Sequence, residues 1–488
     1  MEVKQNFIHG AYTAAPSQKT FDNICPYTGE IICKVEIADK ALVDRAVQSA
    51  SESQKAWAAQ SQQERSRILL KAAELLRKYN DELSEIEVKD NGKPLGEAVG
   101  GDVPSGADAV EYYAQVAVGI EGSYRREAGS FSYTKHAPLG VCAAIGACNY
   151  PTQIACWKSA PALAMGNAVV FKPSEHTPLG ALRIAEIYLE AGLPPGIFNV
   201  VQGDGSTGAL LSEHPGIDKI ALTGSVATGK KIVSAASATL KHTSMELGGK
   251  SPIIVFADAD EDQALAGVML GNFYTQGEVC SNGTRVFVER PIYEKFLGRL
   301  KASAEKLVVG DPMKDSTHLG ALISKEHRDK VLGYIQSGID EGARLITGGK
   351  VPELSGKLHQ GFFIEPTIFA DCGDHMKIVR EEIFGPVMSV LPFDEEEEVI
   401  SRANNSSFGL ASGVFTKDLT KAHRVADQME AGVCWVNNYN LTPAGFPFGG
   451  MKESGFGREN CASTLLEYTQ EKTVYVELES IDCHYPLA

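Results

Sequence analysis

A glutamate at position 246 and a cysteine at position 280 each open onto a glycine-containing, turn-prone segment at the end of an apolar run. The glutamate lies in Met245-Glu246-Leu247-Gly248-Gly249-Lys250-Ser251-Pro252, and the cysteine in Gly277-Glu278-Val279-Cys280-Ser281-Asn282-Gly283-Thr284-Arg285. This pair is the minimum kit for covalent catalysis: a thiolate attacks an electrophilic carbon, and a carboxylate then activates water to release the product. Such a thiolate calls for an electropositive, accessible setting rich in backbone amides. Most single cysteines and glutamates do no chemistry, so the surrounding residues must carry the assignment.

The elements that must position the pair read as a repeating strand–helix pattern. Val141–Ile145, Ala168–Lys172, Phe198–Val201, Lys219–Thr223 and Thr243–Glu246 are apolar, strand-like runs. Helical spacing separates them over Ile154–Ala164, Leu179–Ala191, Gly208–Ser212 and from Gly229 onward. Beyond the glutamate, Ile253–Phe256 reads as a buried strand, and Leu265–Phe273 as an apolar helix running up to the cysteine. Alternation of this kind predicts a mostly parallel α/β sheet with ligands at the carboxyl ends of its strands. Before it, residues 5–35 read as short strands with a turn at Gly29, and helices follow over 40–79, 81–90 and 105–118. Residues 120–137 alternate aromatic and polar side chains around glycines, as an exposed hairpin does, and Thr473–Glu477 is a β-rich partner for it.

With 488 residues the chain is too long for one core. A net charge of −16 and a pI near 5.3 exclude nucleic acid and anionic membrane as natural partners. There is no run of membrane-spanning length and no signal-peptide core at the start, and the ten cysteines include no C-x-x-C pair. A reduced, cytoplasmic protein is expected, in which the sequons at Asn282 and Asn404 are chance matches. Asp394–Glu398 reads as a solvated helix start, and no metal site is expected.

Two glycine signals compete as a phosphate loop. Gly203-Asp204-Gly205-Ser206-Thr207-Gly208 fits G-x-G-x-x-G after a strand, but no convincing acidic residue follows at the expected distance. Thr223-Gly224-Ser225-Val226-Ala227-Thr228-Gly229 also joins a strand to a helix, whose terminal amides suit a pyrophosphate.

The segments around Glu246 and Cys280, in this order and spacing, resemble the two active-site signatures of the NAD(P)-dependent aldehyde dehydrogenase superfamily. The likeness runs from about Phe7 to about Glu477. It implies a Rossmann-type cofactor domain (1–119 and 139–246), a second α/β catalytic domain (247–450) and a small β oligomerisation arm (120–138 and 466–488) that pairs subunits into dimers or tetramers. It also implies roles. Cys280 would add to an aldehyde, giving a thiohemiacetal and then a thioester, and the Cys280 amide and Asn149 would hold the oxyanion. Glu246 would activate the hydrolytic water, which favours a free acid over an acyl-coenzyme A. Gly224 and Ser225 would meet the pyrophosphate, with the earlier glycine motif a structural turn beside the cofactor. Lys172 and Glu175 would reach the adenosine ribose, and a carboxylate there favours NAD while leaving NADP open. In Glu381-Glu382-Ile383-Phe384-Gly385-Pro386-Val387, Glu382 would hold the nicotinamide ribose and Phe384 would pack beside the nicotinamide. Cys148, where relatives carry a large aromatic, departs from the pattern and would place an oxidation-prone thiol beside Asn149.

Within the superfamily, Cys280–Val288, Asn437–Asn440 and Phe448–Asn460 are most similar to betaine aldehyde and 4-trimethylaminobutyraldehyde dehydrogenases. A quaternary ammonium donates no hydrogen bond and is held by aromatic faces. The matching positions are Tyr150, Trp157, Tyr274 and Phe448, although aromatics also line ordinary apolar cores. Gly445 stands where many of these relatives have a glutamate, which leaves room for another aldehyde, such as an ω-semialdehyde. That substrate would need a cationic anchor, and no arginine is evident for the purpose. A non-catalytic protein on the same scaffold is the remaining alternative, and intact Cys280, Glu246, Asn149 and Lys172 oppose it.

Overall fold

Val141-Cys142-Ala143-Ala144-Ile145 is buried at every position, as is Ala168–Lys172, so neither strand has a face for water and both must be covered on two sides. The computed structural model, which describes residues 2–486, provides that cover. An eight-stranded sheet runs in the order Gly455–Phe456, His242–Glu246, Lys219–Thr223, Val141–Ile145, Ala168–Lys172, Phe198–Val200, Asn6–Ile8, Ala11–Thr13. Its five central strands are parallel and the outer ones antiparallel. The register pairs Thr223 with Glu246, and Ile145 with both Leu222 and Lys172. One sheet edge therefore collects the carboxyl ends that carry Asn149, Lys172, Ser225 and Glu246.

A second sheet of seven strands runs Arg344–Thr347, Thr367–Ala370, Val387–Phe393, Arg285–Glu289, Pro252–Val255, Ala411–Phe415, Val433–Val436, with only the first antiparallel. Arg285 opens its strand as a buried cation. Its guanidinium donates to the carbonyls of Lys250, Arg402 and Ala403, at 2.8, 3.2 and 2.7 Å, and so fixes the loop after Glu246 to this sheet. The mostly parallel α/β architecture is the one the alternation predicts.

The expected hairpin is formed by Tyr124–Glu127 and Ser130–Pro138, and Thr469–Glu477 adds to it in antiparallel register over its whole length. The turn at Gly29 joins Thr20–Ile24 to Ile31–Glu36, and Glu395 caps the helix Glu396–Asn404. Three helices begin a turn earlier than periodicity suggests, at Pro151, Gly205 and Val226 in place of Ile154, Gly208 and Gly229. Each first turn is specified by a proline or a capping side chain (Asp204, Ser225), which apolar spacing does not register. Among the described residues no helix is long and apolar enough to cross a membrane.

Candidate active site

The helix Glu261–Phe273 ends at a sharp reversal in which Thr275 and Gln276 take left-handed φ values of 50° and 42°. This strained turn delivers Cys280, half-buried, into the gap between the two sheets. The residues after it are braced: Ser281 Oγ donates to Asn440 Oδ1 (2.9 Å), Tyr439 Oη donates to the Ser281 carbonyl (2.7 Å), and Asn282 Nδ2 donates to the Gly277 carbonyl (3.1 Å). The Asn437–Asn440 segment is thus a support for the thiol loop.

The paired glycines after Glu246 have distinct steric reasons. A Cβ on Gly249 would stand 2.6 Å from the Cys280 carbonyl oxygen, and one on Gly248 would stand 2.6 Å from Glu382 Cδ. The Gly249 amide donates to Glu382 Oε1 at 3.2 Å. Glu246, Cys280 and Glu382, distant in sequence, are therefore held together by one bare stretch of backbone.

Two cavities meet here. A cleft of about 810 Å³ is lined by Lys172, Glu175, Gly224, Ser225, Glu382 and Phe384, the six positions singled out for a dinucleotide. A second cavity of about 470 Å³ is lined by Tyr150, Trp157, Tyr274 and Phe448, the four positions singled out for an ammonium group. Asn149, Glu246 and Cys280 line both. In the second cavity Trp157 and Phe448 meet edge to face, with centroids 5.8 Å apart. Gly445, at a φ of +91°, stands against the Tyr112 ring and is not part of that lining.

Several buried polar atoms at this junction have no hydrogen-bond partner among the described residues: both Glu246 oxygens, Asn149 Oδ1 and Thr223 Oγ1. Such orphans mark a place built for a ligand. The rest of the cleft suits a dinucleotide. At the helix Val226–Ala236 the cap is the neutral, exposed Ser225, which accepts from the Thr228 amide. The helix Gly205–Glu213 is capped by the Asp204 carboxylate, a charge that disfavours a phosphate. The Lys172 ammonium lies 3.5 Å from Glu175, and Phe384, at a left-handed φ of 59°, has its carbonyl 2.6 Å from His327 Nε2.

The electrostatics correct one expectation. The thiol pocket is not electropositive in the protein alone: burial pushes the Cys280 thiol up to about 12, and Glu382 and Glu246 push the same way. Burial, followed by the charge of Glu459, holds the Glu246 carboxyl well above the usual carboxylate range. Glu382 is raised by burial to about 7. Burial raises the Cys148 thiol in the same way, and Cys148 lines the larger cleft beside Asn149.

The profile of the aldehyde dehydrogenase family matches residues 12–474. The chain belongs to this family. It is 56% identical over 481 residues to a betaine aldehyde dehydrogenase of Sinorhizobium fredii, covering 98% of each chain. A betaine aldehyde dehydrogenase of Vibrio vulnificus is 53% identical over 488 residues, covering 99% of this chain and all of that one. Among solved structures, an NAD⁺ complex of an aldehyde dehydrogenase from Bacillus cereus superimposes with a TM-score of 0.95 at 41% identity, covering 98% of this chain and 97% of that one. A putative aldehyde dehydrogenase from Burkholderia cenocepacia gives 0.97 at 39%, covering 99% of both. As a family member the protein is an aldehyde-oxidising enzyme.

Sequence reasoning missed several neighbours of the site. Lys158 and Glu459 form a buried ion pair at 2.6 Å, and Glu459 lines the aromatic cavity. Asp108 lines it too, and His327 and Lys330 line the larger cleft. A lysine inside the apolar helix Pro151–Ala164 was the available signal for the pair, because an unpaired ammonium cannot stay at such a position.

Proposed function

We propose that this chain oxidises betaine aldehyde, or a closely related cationic aminoaldehyde, to the carboxylic acid with NAD. The observation that carries the substrate class is the lining of the aromatic cavity: it contains Asp108, Glu246 and Glu459 but no lysine, arginine or histidine. A quaternary ammonium is attracted there by aromatic faces and acidic groups, whereas the distal carboxylate of an ω-semialdehyde finds no cation. The names of the relatives agree with this reading.

In the mechanism, Cys280 adds to the aldehyde carbon while the Cys280 amide and Asn149 hold the developing oxyanion, each donor contributing about 100-fold or more. The thiol gives up its proton to solvent, and Glu246, placed between the two cavities, is kept for the water of the last step. NAD held in the larger cleft would accept the hydride that leaves the aldehyde carbon as the oxyanion collapses. Its pyrophosphate would meet the helix end capped by Ser225, beside the bare backbone of Gly224, whose own amide is held by the Glu246 carbonyl at 3.0 Å; Lys172 and Glu175 would flank the adenosine ribose, and Glu382 and Phe384 would form the wall at the nicotinamide end. Collapse of the oxyanion leaves a thioester on Cys280. Glu246 then takes a proton from the water that hydrolyses it.

The same reading divides the chain into a cofactor-binding part (1–119 and 139–246), a catalytic part (247–450) and an arm that pairs subunits. Exposed Tyr124 and Tyr475 and the open edges of the three-stranded arm support a dimer or tetramer. Ten unpaired cysteines support a reducing, cytoplasmic setting. The test is kcat/KM with NAD for betaine aldehyde beside its uncharged isostere, 3,3-dimethylbutanal. A preference above about tenfold, or about 1.4 kcal/mol, supports the cationic substrate, and equal rates refute it.

A further inference from the structure

Behind the aromatic cavity lies a charged cluster that none of the chemistry above uses. The Lys93 ammonium is fully buried, 2.7 Å from Asp102 Oδ2 and 2.8 Å from Glu87 Oε1, and it sits over the Tyr150 ring, 4.3 Å from the centroid. Asp102 also accepts the amide of Gln153, a lining residue, at 2.7 Å. The wide helical turn Ala98–Asp102 then brings Gly100 and Gly101 into the lining. At the start of that turn stands Glu97, whose Oε2 accepts both the amide (2.8 Å) and the hydroxyl (3.1 Å) of Thr275. The Thr275 hydroxyl is in turn 2.9 Å from the Tyr150 hydroxyl. Two aromatic positions of the cavity, Tyr150 and Tyr274, are thus within one residue or one hydroxyl of this carboxylate.

The direction of the hydrogen bonds follows from the proton count. A threonine hydroxyl has one proton, and it is given to Glu97. The Thr275 oxygen therefore accepts from Tyr150, and the phenol is drawn toward a negative charge. A phenol that donates its proton this way has a more electron-rich ring, and a cation on that ring is held more strongly. The Lys93 ammonium over Tyr150 would by itself repel a second cation, but Asp102 balances it.

We propose that Glu97 determines preference for a cationic aldehyde, by placing its negative charge at the end of the Tyr150–Thr275 hydrogen-bond chain behind the aromatic cavity. The proposal rests on the cationic-substrate reading and adds to it the group that supplies the charge. It also accounts for Gly445: with a carboxylate behind the rings, none is needed at that position.

Burial holds the Glu97 carboxyl up at about 7, with the Thr275 amide opposing. It is therefore ionised above neutrality and neutral below. Glu87 is pushed well above the usual carboxylate range by burial and by Asp102, so Lys93 and Asp102 balance each other and Glu97 is the group whose charge changes. The other charged groups facing the cavity are Asp108 (bonded to Arg77), Glu246, the Lys158–Glu459 pair and Cys280. All of these remain in a Glu97 variant.

The experiment measures kcat/KM for betaine aldehyde and 3,3-dimethylbutanal from pH 6 to 8, in wild type and Glu97→Gln, and follows their ratio. Ionisations that serve only the chemistry act on both aldehydes and cancel, and that of Glu246, which also faces the cavity, is common to both proteins, so Glu97 is read from the difference between their ratios. The expected result is a ratio that rises with pH in wild type. In the variant the ratio rises less with pH and is lower by roughly tenfold at pH 8, the order for a unit charge acting across one aromatic ring at an effective dielectric near 20. An unchanged rate with the neutral aldehyde certifies that the variant is folded. A wild-type preference that is flat with pH, or that survives in Glu97→Gln, overturns the proposal and leaves the cationic-substrate reading standing. A wild-type ratio near one at every pH overturns that reading itself.

Discussion

Replacing Gly248 by alanine puts a methyl group where the Glu382 carboxylate now lies, 2.6 Å from its Cδ. Gly248 has no left-handed φ, so alanine brings no backbone strain, and the atoms that must yield are the far end of a flexible side chain. The fold should survive while Glu382 is turned out of the cleft. The carboxylate then loses the Gly249 amide, 3.2 Å away, and with it the reach to the nicotinamide-end ribose proposed for it. A charged hydrogen bond of this kind is worth about 1.5–3 kcal/mol, or roughly 10- to 150-fold in affinity. We expect the NADH dissociation constant, followed by quenching of protein fluorescence, to rise by that factor with Tm changed little. Because the loss is on the cofactor side, kcat/KM at fixed, subsaturating NAD should fall equally for charged and uncharged aldehydes. A folded Gly248→Ala protein that binds NADH within twofold of wild type would refute the role given to Glu382.

Two further outcomes separate the remaining roles. Glu246→Gln should give a burst of NADH equal to the number of sites, followed by turnover lowered about 100-fold or more, since the thioester forms but lacks its base. The raised carboxyl of Glu246 must be ionised to act, so wild-type deacylation should rise with pH through that raised value, a limb the variant lacks. Lys158→Met should cost about 3–5 kcal/mol in denaturant unfolding by leaving Glu459 buried and unpaired, and Lys158→Met with Glu459→Gln should regain most of it.

The strand–helix alternation and the arm were legible because they depend on local apolar period and on glycine. Helix starts were read late wherever a capping side chain, not an apolar residue, sets the first turn, as Ser225 does for Val226–Ala236. The motif around Glu246 could be recognised, but the reason for its two glycines could not, since Gly248 answers to Glu382 and Gly249 to Cys280. The electrostatic setting was misjudged for the same reason. Residue types at 246, 280 and 382 say nothing of how closely they are buried together, and that burial is what lifts the thiol. Glu97 and Lys93 carried no signal in the sequence, because their meaning lies in contacts with Thr275 and Tyr150.

The strand holding Glu246 is bordered by Gly455–Phe456, the buried Lys158 awaits Glu459, and Asn167 Nδ2 donates to the carbonyl of Tyr468 at 2.9 Å. All three partners are synthesised after the whole of the second sheet. While the chain emerges from the ribosome, the first sheet therefore waits with one edge open and one buried cation unmatched. Its completion must come late, after contacts spanning some three hundred residues have closed. Nascent copies of this protein thus pass through a stage in which a ready-made strand template is exposed, the stage at which a chaperone is needed and neighbouring nascent chains are a hazard.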